Sequence, residues 1–171
     1  KGKISLLLSV NCNLGREFLQ IFTPNSIDEI HIVIKFDHFK ELIKSQKSIT
    51  KLRLCGEYLK PEHLKSLSLE AVTLFNSRNC EEQKLETLNT SLKQLVEDHP
   101  EIKQLKFTFP ITPVLLAILI NKSNLESLKL KVNDRNMPYF GQLSKLQKTT
   151  FLYLDLSAYT EEQIVHLTLT P

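Results

Sequence analysis

Hydrophobic residues recur along the chain in one frame, in which they occupy positions 1, 4 and 6 of a short segment. The clearest example is the segment with Leu125, Leu128 and Leu130 at these positions. The same frame begins again at Ile27, Ile49, Leu69, Ile102 and Thr149. Because successive side chains of a β-strand point to opposite faces, positions 4 and 6 are predicted to enter a core, and positions 3, 5 and 7 to point outward.

The frame predicts strands that alternate with helices. Strands are expected at residues 3–10, 30–34, 51–55, 71–75, 104–109, 127–132 and 151–156. Helices are expected at residues 16–22, 37–47, 61–65, 81–98, 113–121, 139–146 and 160–166, and Asp37 is expected to cap the second of them. A strand followed by a helix in every unit requires neighbouring strands to be parallel. The sequence therefore predicts an α/β domain that spans residues 1–171.

These repeated units resemble a leucine-rich repeat domain of the ribonuclease-inhibitor-like kind. The resemblance implies a solenoid with about seven parallel strands on its concave face and helices on its convex face. It also implies a protein-interaction role, and the irregular repeats are similar to those of F-box substrate receptors. The family prefers Asn or Cys at position 9, where this chain has Lys35, Glu57, Ser77, Pro110, Asn133 and Ser157. A doubly wound α/β domain with an ordinary parallel sheet is the alternative.

Composition and motifs give no indication of catalysis. The chain has four glycines and a net charge of +3, and it lacks a phosphate-binding loop or a nucleophile motif. Cys12, Cys55 and Cys80 form no C-x-x-C pair, and the histidines are not at metal-ligand spacing. No apolar run is long enough to cross a bilayer. We therefore expect a non-enzymatic intracellular protein without cofactor or metal, and we expect the chain to be a fragment of a longer protein.

The outward strand positions are the candidate functional surface. They combine cations with aromatic side chains, and the candidate partner-binding residues are His31, Lys51, Arg53, Phe75, Lys106, Lys129, Lys131, Phe151 and Tyr153. Three of the other four histidines, His38, His63 and His99, are expected on exposed helix surfaces. A solvated sheet face needs polar residues in any case, so the pattern alone is ambiguous. A docking surface for an acidic protein segment is the leading hypothesis; RNA binding and a spacer role within a longer solenoid are the alternatives.

Overall fold

A computed structural model describes residues 4–8, 16–33, 37–75, 82–134, 136–146 and 148–160. Within them, seven parallel strands form one sheet whose strand order follows the chain order. The strands are β1 (Ser5–Leu8), β2 (Glu29–Ile32), β3 (Lys51–Cys55), β4 (Ala71–Phe75), β5 (Gln104–Pro110), β6 (Ser127–Lys131) and β7 (Phe151–Asp155). The predicted α/β class with seven parallel strands is confirmed. A doubly wound sheet reverses its strand order at a switch point, and this sheet has no such reversal among the described strands.

The helices connect successive strands. They are α1 (Phe39–Ser45), α2 (Pro61–Leu64), α3 (Glu82–Asp98) and α4 (Pro113–Ile120), with 3₁₀ helices at Arg16–Ile21, Gly56–Tyr58 and Met137–Lys145. Proline occupies the first turn of α2 and α4, where a missing N–H is tolerated. The Thr112 hydroxyl accepts a hydrogen bond from the Leu115 N–H and so caps α4.

Four helix predictions need correction or lie outside the described residues. The cap of α1 is His38, without a side-chain hydrogen bond, so the prediction that Asp37 occupies the cap position is wrong. The segments predicted as helices at 16–22 and 139–146 are 3₁₀ helices, which short irregular connections adopt readily. The helix predicted at 160–166 falls almost wholly outside the described residues.

The sheet aligns the hydrophobic frame from strand to strand. Position 4 forms a continuous row in which neighbours are paired, through Ile30, Leu52, Val72, Leu105, Leu128 and Leu152. From β2 to β6 these residues are at most 2% exposed. Leu152 departs from the row with 42% exposure, because β7 is the last strand of the described sheet. The helices cover this apolar face with buried side chains such as Leu42, Leu92 and Leu116.

Buried amide side chains hydrogen-bond to the backbone of the connections. Gln46, which is fully buried, accepts from the N–H groups of Ser26 and Ile27 and donates to the Thr23 carbonyl. Fully buried Asn136 donates to the carbonyls of Ile111 and Lys131. Asn133 is the only position-9 residue that matches the family's preference for Asn or Cys, but it is not the buried amide here. Instead, it accepts a hydrogen bond from the Asn136 N–H.

Two residues are more buried than the sequence predicts. Cys55 occupies an outward position but is 2% exposed, because the chain turns directly into the 3₁₀ helix at Gly56. His99, expected on a helix surface, is 1% exposed and contacts the Glu101 carboxylate through Nδ1 at 3.0 Å. It follows α3 at the point where the chain re-enters the sheet, so it lies beneath the connection rather than on the helix.

Candidate functional site

The outward side chains of the seven strands form one surface, which we call the polar sheet face. Its central row consists of position-5 residues that are paired from strand to strand: Leu7, His31, Arg53, Thr73, Lys106, Lys129 and Tyr153. Neighbouring strands of a sheet lie about 4.8 Å apart. All nine candidate residues belong to this face, and none of them is fully buried.

The register of the face changes near the end of β5. Residues 104–106 pair regularly with residues 127–129, but Lys131 is opposite Pro110. Thr108, the position-7 residue of β5, is therefore not opposite Lys131. The additional residues of β5 in this irregularity interrupt the row of position-7 residues between β5 and β6. On its other side Lys131 retains a regular pairing with Asp155 of β7.

Charge is distributed unevenly over the polar sheet face. Five cations project from β3, β5 and β6, and we call them the basic band: Lys51, Arg53, Lys106, Lys129 and Lys131. The strands β3 to β6 contain no Asp or Glu. Carboxylates appear only on the flanking strands of the described sheet, with Glu29 on β2 and Asp155 on β7. The middle of the face is therefore positive and its two sides carry negative charge.

Arg53 and His31 both contact Phe75 at one side of the basic band. The guanidinium carbon of Arg53 lies 5.9 Å from the centre of the Phe75 ring. The His31 ring approaches the same ring edge-on, with 5.9 Å between the two centroids. Burial lowers the pKa of His31 below its ordinary value, and the neighbouring charge of Arg53 lowers it further, while Glu29 opposes both. His31 is therefore mostly uncharged at neutral pH.

Lys129 and Tyr153 form a second cation–aromatic contact at the opposite side of the band. The Lys129 ammonium lies 3.7 Å from the centre of the Tyr153 ring. Nearby, hydrogen bonds from Ser157 lower the pKa of the Asp155 carboxyl, and the charges of Lys131 and Lys129 lower it further. The carboxylate of Asp155 thus remains ionised close to both lysines.

A depression of about 250 Å³ lies in the middle of the face, between the position-3 and position-5 side chains of β4 to β7. We call it the central depression, and its lining residues are Ala71, Val72, Thr73, Gln104, Leu105, Lys106, Ser127, Lys129 and Phe151. The short side chains of Ala71 and Ser127 leave the space, and Lys106 and Lys129 border it. Val72 and Leu105 are at most 2% exposed, so they present mainly backbone.

The sequence alone did not single out Thr73, Gln104 and Ser127 as site residues. Each is an uncharged hydrogen-bonding residue at an outward position, and each lines the same depression as Lys106 and Lys129. The available signal was the absence of Asp and Glu from four successive strands, which distinguishes these positions from an ordinary mixed surface. Only the strand pairing shows that the three residues share one depression.

A larger cavity of about 340 Å³ lies at the carboxyl ends of β2 and β3. Ile32, Phe39, Leu54 and Tyr58 form its apolar part, and its polar part consists of Asp37, Lys40, Glu57, Lys60 and His63. Two lysines and two carboxylates balance each other there. This cavity therefore lacks the net charge that characterises the basic band.

Comparison with known proteins adds no relative, since no family model, curated protein or solved structure matches the chain. In the part of the chain that the structure describes, no three His, Cys, Asp or Glu side chains are grouped closely enough to hold a metal ion. No described helix combines the length and the apolar character needed to cross a bilayer.

Proposed function

We propose that the chain is a leucine-rich repeat domain without enzymatic activity, whose polar sheet face binds an acidic segment of a protein partner. The sequential order of parallel strands and the aligned L-x-x-L-x-L frames support the repeat assignment. Repeat solenoids expose extended faces of this kind for binding. In a larger intracellular adaptor, such as an F-box substrate receptor, the domain would supply partner recognition.

The like-charge pairing of Lys106 with Lys129 in the middle of the basic band is the observation that carries this proposal. A sheet face that serves only solvation gains stability from opposite charges on neighbouring strands, and like charges directly opposite each other destabilise it. Here the backbone pairs Lys106 with Lys129, and the four strands supply no carboxylate to either. A partner with negative charge removes this repulsion on binding, which favours complex formation.

The aromatic residues of the face give the partner apolar contacts between the charges. Phe151 is 56% exposed and Tyr153 is 44% exposed, which are high values for large aromatic side chains. Aromatic residues next to cations are frequent anchors of protein interfaces. Phe75 supplies a third ring beside Arg53. The basic band spans three strand spacings, or about 14 Å, which matches a short segment better than a long polyanion.

A direct test measures binding of a short glutamate-rich peptide to the purified domain. We expect binding at low salt that weakens as salt screens the charges. The double variant Lys106→Glu with Lys129→Glu should retain the fold and lose most of this binding, mainly through slower association. The matched control, Lys44→Glu with Lys93→Glu, makes the same charge change at exposed helix positions and should bind nearly as well as the unaltered protein.

Two results would contradict the proposal. Equal loss of binding in the sheet-face variant and the helix control would show that only net charge matters. Tighter binding of a single-stranded RNA with the same number of negative charges would favour nucleic-acid binding, for which Phe75 and Tyr153 offer stacking surfaces. Those two rings lie on β4 and β7, three strand spacings apart, so they do not form one continuous stacking platform.

A further inference from the structure

We propose that the central depression binds a phosphorylated serine or threonine side chain of the partner segment. This inference rests on the proposed function, because it assigns one subsite of the same face. The phosphate would lie between Lys106 and Lys129, above the short side chains of Ala71 and Ser127. The observations that carry it are the donor groups of the depression, its charge and its exposed aromatic wall.

The donor groups exceed what a carboxylate requires. The residues that line the depression carry two ammonium groups, on Lys106 and Lys129, the hydroxyls of Thr73 and Ser127, and the Gln104 amide. A carboxylate presents two oxygens, whereas a phosphate monoester presents three strongly accepting oxygens. Val72 and Leu105 bring backbone rather than side chains to this surface, so the polar groups of their neighbours remain accessible to a ligand.

The charge of the depression also fits a dianion. Lys106 and Lys129 together contribute two positive charges, and none of the residues that line the depression is acidic. A phosphoserine carries a charge of about −1.5 to −2 at neutral pH, and a glutamate carries −1. A single carboxylate would therefore leave one of the paired lysines without a counter-charge, whereas a phosphate would neutralise both.

Phe151 forms an apolar wall of the subsite, and the Tyr153 ring contacts one of its cations, Lys129. Phe151 lines the depression on β7 and is more than half exposed, so the carbon atoms of the bound side chain can pack against its ring. Lys129 contacts the Tyr153 ring and also lines the depression. On binding, rotation of the Lys129 side chain would exchange the ring contact for a phosphate oxygen.

The experiment compares three versions of one short glutamate-rich peptide, whose central residue is phosphoserine, glutamate or serine. We expect the phosphoserine peptide to bind about tenfold more tightly than the glutamate peptide, since it brings more charge and another acceptor oxygen. Lys106→Gln should abolish this preference while leaving weaker binding of the glutamate peptide through the rest of the basic band. Lys93→Gln, on α3, is the control and should retain the preference.

The possible outcomes separate this inference from the proposed function. Equal affinity for the phosphoserine and glutamate peptides would overturn the phosphate subsite and leave acidic-segment binding intact. A phosphoserine preference that survives in Lys106→Gln would place the phosphate elsewhere and overturn the assignment to the depression. Absence of binding by all three peptides at low salt would overturn both proposals.

Discussion

The Lys129 ammonium lies over the Tyr153 ring at 3.7 Å, although the backbone pairs Lys129 with Lys106 as directly as with Tyr153. The ring attracts the cation through its negative face. While it contacts the Tyr153 ring, the ammonium does not occupy the space next to Lys106. Tyr153 therefore limits the repulsion between Lys129 and Lys106 in the middle of the basic band.

Substitution of Tyr153 by leucine should destabilise the domain through the loss of this contact. We expect a decrease of about 0.5–1 kcal/mol in the free energy of unfolding, the usual range for an accessible cation–aromatic pair. A double-mutant cycle with Lys129→Met isolates the interaction, and denaturant unfolding measures it. Additive effects of the two substitutions would mean that the contact contributes nothing to stability.

Binding of an acidic peptide should become tighter as the pH falls through the pKa of His31. Burial and Arg53 hold that pKa below the ordinary value of 6.5, so His31 is mostly neutral at pH 7 and gains charge on acidification. A negative ligand favours the charged form, and binding must in turn raise the pKa of His31. NMR titration of the imidazole with and without peptide measures this shift, and His31→Gln should remove that part of the pH dependence.

The same titration has the opposite effect on folding. The pKa of His31 is lower in the folded state than in the unfolded state. Neutral His31 therefore contributes to the free energy of unfolding above about pH 6.5, and this contribution is lost as the pH falls through the folded-state pKa. In the free protein, acidification should therefore reduce stability through His31 while it improves affinity for the peptide. Binding that stays unchanged across the titration of His31, as followed by NMR, would place the acidic ligand away from His31.

The hydrophobic frame made most of the sheet predictable from the sequence. Residues such as Leu52 and Leu128 repeat with a period that only a strand face explains, so the strands and their register follow. The shifted pairing of Lys131 with Pro110 was not predictable, since an irregularity in β5 leaves no signal in the hydrophobic pattern. Strand alternation alone does not account for the burial of Cys55, which depends on the turn that follows its strand.

The candidate face was predictable in composition but not in geometry. Strand alternation correctly placed the five cations on outward positions. The orientation of the Lys129 ammonium toward Tyr153 depends on side-chain torsions that no sequence period encodes. Likewise, the depression above Ala71 requires that short residues on adjacent strands coincide, which becomes visible only when the register is known.

Leu128→Asp should unfold the domain or cause it to aggregate. Leu128 is fully buried at position 4 of β6, and an unpaired carboxylate there costs several kcal/mol, on the order of the stability of a whole domain. Leu152→Asp is the matched control because Leu152 occupies position 4 of β7 and is 42% exposed. Thermal melting followed by circular dichroism should show a much smaller effect for the control. Equal melting temperatures for the two variants would contradict the aligned frame.

Asp155→Asn should strengthen the binding of an acidic peptide. The carboxylate of Asp155 lies close enough to Lys131 and Lys129 for their charges to help lower its pKa, so it competes with a negative ligand for the same cations. Removal of its charge should increase affinity by a few-fold at low salt, with less effect at high salt. Glu126→Gln offers a control, because Glu126 pairs with Lys103 outside the basic band. Isothermal titration of both variants makes the comparison.

Lys122→Met should destabilise the connection between α3 and β5 without any effect on peptide binding. The Lys122 ammonium donates hydrogen bonds to the carbonyls of His99 and Pro100 at 2.9 and 3.1 Å, and thereby joins the loop after α4 to the end of α3. Burial lowers the pKa of this ammonium, although Glu101 opposes the change, so the charged group is partly desolvated. Methionine keeps most of the apolar stem but removes the donors. We expect a loss of about 1–2 kcal/mol, because the hydrogen bonds involve a charged donor but their removal also relieves desolvation.

The control for this substitution is Lys103→Met, which breaks the exposed ion pair with Glu126 at 3.6 Å and should change stability by less than about 1 kcal/mol. Denaturant unfolding of both variants gives the comparison. Hydrogen exchange then locates the effect: in Lys122→Met the amides of His99 and Ile102, which close the turn after α3, should exchange faster than those of β6. If exchange accelerated uniformly through the sheet, the ammonium would be acting on global stability rather than on this connection. Unchanged peptide affinity in Lys122→Met would show that this connection takes no part in peptide binding.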